Sequence, residues 1–311
     1  MLDANRPHPL VLLVLSFAIG LIGCSDDSGG GAGAGGTGGA GGSGGDSVPL
    51  RILVTNDDGV GAEGIDALVE ALRTDPNNIL IVSAPAQNSS GSADRTVNDD
   101  PPPACAGGTG EGTEAMTASG YDENVWSVDG CPADSVLFAL ANLYTEAEPP
   151  HVVLSGINEG QNVANIAGAL SQLSGTVGAA KTAACSGVPA LASSQGDPDD
   201  GDAYDYEAGV AEVLDWLATN RSALAEGDVS LETITSINIP SCAPGTEIRG
   251  RETVPLRTQP VPDYINGLLD PQDCASTREN PQDDVEAFFN GFVSITPVPS
   301  NSSNTCDKLA N

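Results

Sequence analysis

Positive charge is what this sequence has least of. Across 311 residues there are 11 Lys and Arg against 43 Asp and Glu, a formal charge of -32. The side chains that neutralise nucleic-acid phosphates and release their counterions are missing, which excludes a nucleic acid polymer as partner. Histidine is nearly absent, at two residues, and the seven cysteines contain no C-x-x-C pair. Zinc-site spacing is therefore lacking. Aromatics make up only 4%, which leaves aliphatic side chains to build the core. No apolar run reaches the roughly 20 residues that a membrane-crossing helix needs.

What is present is a chain that is 40% apolar and 17% charged, too hydrophobic for general disorder and long enough to bury a sizeable core. Its start reads as an address. Residues 1–9 carry Arg6, residues 10–23 are an apolar run of signal-peptide length, and Leu21-Ile22-Gly23-Cys24 closes it in the manner of a bacterial lipobox. The expectation is a lipoprotein signal peptide over 1–23, with Cys24 lipidated. The protein is then exported and anchored to the cell envelope through lipid, in a leaflet the sequence leaves open. Residues 24–47 are dominated by Gly and read as a flexible linker, with a reach on the order of 25 Å for about twenty residues. Residues 48–311 form the folded domain. Beyond Cys24 the cysteines are Cys105, Cys131, Cys185, Cys242, Cys274 and Cys306, an even set that can form up to three disulfides in an oxidising compartment.

From residue 48 apolar runs of strand length alternate with helical stripes. Residues 50–55, 79–82, 125–128, 151–154, 188–191, 234–239 and 292–297 read as strands. Helical spacing marks Ile65, Leu68, Val69 and Leu72, then Val136, Leu137, Leu140 and Tyr144 behind Pro132, then residues 176–184, then Val210, Val213, Leu214 and Leu217. This order predicts an α/β fold: a mostly parallel, doubly wound, Rossmann-like sheet with right-handed crossovers. Between 247 and 284 the pattern fails, and a C-terminal extended arm or hairpin is expected there. Ligands of such sheets bind where loops leave the carboxyl ends of strands.

The first such loop, Asn56-Asp57-Asp58-Gly59, places two adjacent carboxylates where packing would not choose them. Residues 59–64 match G-x-G-x-x-G, yet a pyrophosphate there would face Asp57 and Asp58, and no acid follows the second strand to hold a ribose. A haloacid-dehalogenase-type phosphatase needs an Asp nucleophile where Asn56 stands, and an amide cannot form an aspartyl phosphate. A hard divalent cation fits best: two carboxylates offset its charge, and neutral oxygens from residues 88–91 and 155–162 can complete its shell. The helix start at Ser174-Gly175-Thr176 offers amides to a phosphate.

These blocks, Ile52 to Gly59, Ala84-Pro85 to Ser90-Gly91, Gly130 to Val136, Val152 to Asn162, Ser174 to Ala180 and Gly291 to Pro297, resemble in order the motifs of the SurE family of 5'/3'-nucleotidases. The resemblance implies that Asp57, Asp58, Ser90 and Asn158 hold one divalent metal, Mg or Mn, with Asp57 and Asp58 the catalytic pair. Asn56, Asn162, Ser174, Gly175 and Thr176 would surround the substrate phosphate. It implies a metal-dependent phosphatase acting on nucleoside monophosphates or other phosphomonoesters, paired as a homodimer or higher homo-oligomer through its C-terminal arm. The alternative is a non-enzymatic surface lipoprotein that keeps the fold as a binding module. The sequence departs from the family pattern in Ala86-Gln87-Asn88-Ser89, where basic residues are usual, and around 271–279. Other residues have plainer readings: His151 as structural, Lys181 as a solvated helix residue, Trp126 and Trp216 as core, and residues 197–205 as a solvated acidic loop.

Overall fold

The computed structural model describes residues 48–103, 105–115, 124–163, 173–198, 203–258 and 272–310. The leader, Cys24, the linker and much of the arm lie outside these residues. The described chain forms strands β1 (Leu50–Thr55), β2 (Asn78–Pro85), β3 (Gly112–Glu114), β4 (Val125–Val128), β5 (Val152–Glu159), β6 (Ala190–Gln195), β7 (Thr233–Ile239), β8 (Arg251–Thr253) and β9 (Val293–Pro299). Its helices are α1 (Glu63–Leu72), α2 (Pro132–Asn142), α3 (Gly175–Cys185), α4 (Tyr206–Glu226), α5 (Asp284–Phe289) and α6 (Thr305–Leu309).

One sheet carries the strands in the order β3-β4-β2-β1-β5-β6-β7-β9-β8. The six strands from β4 to β7 pair in parallel, while β3 and β9 join antiparallel and β8 lies parallel to β9. Side-chain alternation along β1 explains its central place. Ile52 and Val54 enter one core with α1 and α4, and Leu53 enters the other with α2 and α3. Each is fully buried, a contribution of about 1.5 to 3 kcal/mol per side chain. A strand apolar on both faces belongs mid-sheet, covered by helices on both sides. The expected doubly wound α/β fold is what the chain adopts.

The winding direction changes at β1. From β1 the chain moves outward to β2 and β4, and from β5 it moves the other way to β6 and β7. Thr55 pairs with Ser155 at the carboxyl ends, so the two loops singled out in the sequence leave the sheet side by side at its topological switch point.

Several elements differ from expectation, and β2 runs on to Pro85. β5 runs on to Glu159, through residues expected to form a loop, with a register shift against β6 between Ser155 and Asn158. β6 likewise extends through Ser193, Ser194 and Gln195. Within the expected arm, Arg251–Thr253 adds an edge strand. The six cysteines pair as Cys105–Cys131, Cys185–Cys306 and Cys242–Cys274.

Candidate active site

Where β1 ends, the buried Asn56 closes a turn upon itself: its amide donates to the Gly59 carbonyl at 3.0 Å and its oxygen accepts the Gly59 N–H at 3.2 Å. That closure aims Asp57 and Asp58 away from the strand end. The second loop is tied to the first by Ser89, whose N–H donates to the Asp57 carbonyl at 2.7 Å.

Asp57 is 2% exposed. Burial pushes its pKa up, opposed by the Thr176 hydroxyl and by the backbone amides of Thr176 and Gly175, all donating to it. Gly175 makes this approach possible: a Cβ there would lie 2.7 Å from the Asp57 Cβ and 2.9 Å from the Ser92 hydroxyl. Asp58 accepts from the Glu159 N–H at 3.0 Å and from the Asn88 amide at 3.3 Å. Burial, then the Asp57 charge beside it, pushes its pKa up to about 7.

Asn158, near the end of β5, is buried, and its amide donates to the carbonyls of Gly160 at 2.6 Å and Glu159 at 3.2 Å. Its side-chain oxygen is buried and meets no hydrogen-bond donor among the described residues. An acceptor in that state is destabilising unless a cation or donor completes it. Asn158 lines a cleft of about 410 Å³ whose wall also carries Asp57, Ser90, Asn162, Ser174 and Asp197. Among the described residues no Lys or Arg lines this cleft.

Of the residues picked out by sequence, Asp57, Ser90, Asn158, Asn162 and Ser174 thus share one wall, with Asp58 beside it. Three expected substrate contacts are placed differently. Asn56 is spent on its turn, the Thr176 hydroxyl is turned onto Asp57, and Gly175 backs the same carboxylate. Asn162 donates its amide to Ser194 at 2.9 Å, and its N–H donates to the Asn238 side chain at 2.6 Å. Ser174 caps α3 by accepting the Val177 N–H at 3.1 Å.

Asp197, read in the sequence as part of a solvated acidic loop, lines the cleft instead. It follows β6 at its carboxyl end, the same signal that marks Asp57, and the Tyr204 hydroxyl donates to it at 2.8 Å. Lys181 is a clear correction: it is 1% exposed, not solvated, and its ammonium lies 3.8 Å from the Asp94 carboxylate. The expectation failed because its partner lies far away in sequence. His151 is structural as expected, accepting the Arg51 N–H at 2.9 Å.

The model of the family described as survival protein SurE matches residues 52–260. The 5'-nucleotidase SurE of Acinetobacter baumannii (strain AYE) is 31% identical over 275 residues, spanning 82% of this chain and 95% of the relative. That of Brevibacillus brevis is 32% identical over 265 residues, spanning 80% and 90%. Among solved structures, the crystal structure of the Sure protein from Aquifex aeolicus matches with a TM-score of 0.56 and 26% identity, covering 82% of this chain and 95% of that one. With a family model that matches more than half of the chain and relatives above 30% identity over some four-fifths of it, the chain belongs to the SurE family.

Proposed function

We propose that this chain is a divalent-metal-dependent phosphomonoesterase that hydrolyses nucleoside 5'- or 3'-monophosphates to nucleoside and phosphate. One observation carries the reading: the buried Asp57 carboxylate, with Asp58 next to it, lines a cleft together with Asn158, whose buried side-chain oxygen meets no donor among the described residues. The name 5'-nucleotidase SurE borne by the relatives from Acinetobacter baumannii and Brevibacillus brevis agrees with it.

The residues fit a metal. Asp57, Asp58, Asn158 and the exposed Ser90 offer only oxygen, two charged donors and two neutral ones, a set suited to Mg or Mn. What such an ion supplies when bound is charge on a phosphate oxygen and a lowered pKa for the attacking water. The chain's own residues do the rest. Thr176 and the start of α3 hold Asp57 in one orientation, and the Glu159 N–H does so for Asp58. Ser174, at the positive end of α3, stands with Asn162 on the wall where a phosphate enters.

Hydrolysis of a nucleoside monophosphate by the purified protein tests the proposal. Chelation should abolish turnover, and Mg or Mn should restore it without any need for zinc. Chelator-resistant hydrolysis, or none with either ion, overturns it.

The same proposal places the protein outside the cytoplasm, lipid-anchored through Cys24 with 24–47 as its tether. Pairing of all six downstream cysteines supports an oxidising compartment. Cys24→Ser should move the protein from the membrane fraction to the soluble one with specific activity unchanged; a variant still membrane-bound after processing refutes the anchor. Self-association as a homodimer or higher oligomer completes the proposal, and sedimentation of the purified protein measures it.

A further inference from the structure

Ser90 is exposed, so the position of its hydroxyl is set by the turn that carries it and not by packing of its own side chain. That turn is bonded on several sides. The Ser90 N–H donates to the Asn88 side chain at 3.0 Å, and the Ala93 N–H donates to the Leu173 carbonyl at 2.9 Å. The Arg95 guanidinium folds back onto the carbonyls of Gly91 and Ser92, each at 3.2 Å. The Ala93 carbonyl lies against Gly178 of α3, where any Cβ would collide with it.

The next residue, Asp94, leaves the turn and enters the protein interior. It accepts from the Thr305 hydroxyl and, at 2.8 Å, from the Lys308 ammonium, both on α6, while Lys181 of α3 approaches at 3.8 Å. Lys181 also donates to Ser303 at 2.8 Å, just before α6. Cys185 at the end of α3 and Cys306 in α6 are joined by a disulfide, so the two helices that grip Asp94 are fixed to each other. The first residues of α3 are the ones that hold Asp57. Neither Asp94 nor its partners line the cleft; any effect on chemistry passes through the turn.

We propose that Asp94 is a positioning residue, clamped by Lys181, Lys308 and Thr305 so that the turn presents Ser90 to the same cation as Asp57 and Asn158, with the Cys185–Cys306 staple holding the clamp together. The proposal rests on the reading of Ser90 as a metal ligand. Surroundings that orient a ligand typically govern metal affinity by about 10-fold to 100-fold.

Calorimetric titration of Mn into the full chain tests it, alongside kcat and KM for a nucleoside monophosphate. In Asp94→Asn the Mn dissociation constant should rise on the order of tenfold, with kcat recovering at saturating Mn and KM little changed. Lys308→Met, at an exposed end of the cluster, should shift the constant in the same direction by less, and it decides the matter if Asp94→Asn does not fold. The pair Cys185→Ser with Cys306→Ser should also weaken Mn. Arg221→Ala serves as the stability control, because Arg221 holds Asp75 and Asn78 at the opposite, amino end of β2; it should lower the melting temperature and leave Mn affinity alone. If the variants melt earlier yet bind Mn as the parent does, the clamp is structural only and the proposal fails. If the parent itself binds no Mn, the metal reading fails and the clamp with it.

Discussion

Asp57 and Asp58 stand side by side with burial working against both charges, opposed by hydrogen bonds from Thr176, Gly175, Glu159 and Asn88. The sign of the resulting pH dependence follows. Because the Asp58 pKa rises from 3.8 to about 7 on folding, the folded state holds more protons than the unfolded state between those values. Its contribution is therefore most favourable below that window and declines as pH rises through it. Denaturant unfolding of the metal-free protein near pH 5 and near pH 8 should show this decline, and Asp58→Asn should flatten it. At neutral pH both Asp57→Asn and Asp58→Asn should hold or raise the metal-free stability while abolishing turnover, and the stabilisation conferred by Mn should shrink. A merely structural pair would behave otherwise: losing one member of a satisfied network costs about 1 to 3 kcal/mol. Both variants losing stability while keeping metal-dependent activity would remove this site from the mechanism. Thr176→Val separates the two roles of α3. It deletes the hydroxyl donor to Asp57 without changing the side-chain shape, and should cost roughly 1 to 3 kcal/mol with a weaker response to Mn.

At the scale of elements, apolar strands in the middle of the sheet were legible because hydrophobicity alone places them: β1 and β4 have the bounds their runs suggest, and α2 begins at its proline. Legibility faded toward the carboxyl ends. β5 and β6 continue into Ser155, Asn158, Ser193, Ser194 and Gln195, polar residues buried in ladder and side-chain bonds around the site. A pattern built on apolar side chains cannot see them. The acidic pair was readable from its position after β1, whereas Asp197 was hidden in an acidic run and Lys181 by a partner remote in sequence. Disulfide pairing was likewise beyond sequence, since connectivity depends on the fold. Its energetic ranking can be predicted from loop size. Cys185–Cys306 spans 121 residues and Cys105–Cys131 spans 26, which in the chain-entropy model correspond to about 5 and about 3.5 kcal/mol. Thermal melts of the paired Ser variants should show the larger loss for Cys185–Cys306. Equal or reversed losses would mean that native packing around α6, and not loop closure, sets its stability.

For the whole molecule, charge is the governing quantity. The formal charge of -32 is not offset locally: Asp57, Glu159 and Asp197 line the cleft, Asp58 adjoins it, and among the described residues no Lys or Arg forms part of its wall. Among the described residues most cations are paired with acids away from the cleft, Arg221 with Asp75, Arg249 with Glu279, Arg251 with Glu212 and Asp215, Arg257 with Asp283, Arg278 with Glu286, and Lys181 and Lys308 with Asp94, while Arg95 is bonded to the carbonyls of Gly91 and Ser92. A phosphate dianion therefore approaches a surface of its own sign. Steering of this kind acts over the Debye length, about 30 Å at 0.01 M salt and about 8 Å at 0.15 M. With Mn held saturating, kcat/KM for a nucleoside monophosphate should consequently rise as salt is added over that range, since screening removes repulsion, and kcat should stay nearly constant. The corresponding triphosphate, carrying more negative charge into the same field, should be the poorer substrate at low salt and should gain more from screening. A phosphatase that gathers its substrate with basic side chains shows the reverse, kcat/KM falling as salt shields the attraction. Such a fall here would mean that substrate capture depends on positive potential outside the cleft wall, and the electrostatic account of this site would have to be given up.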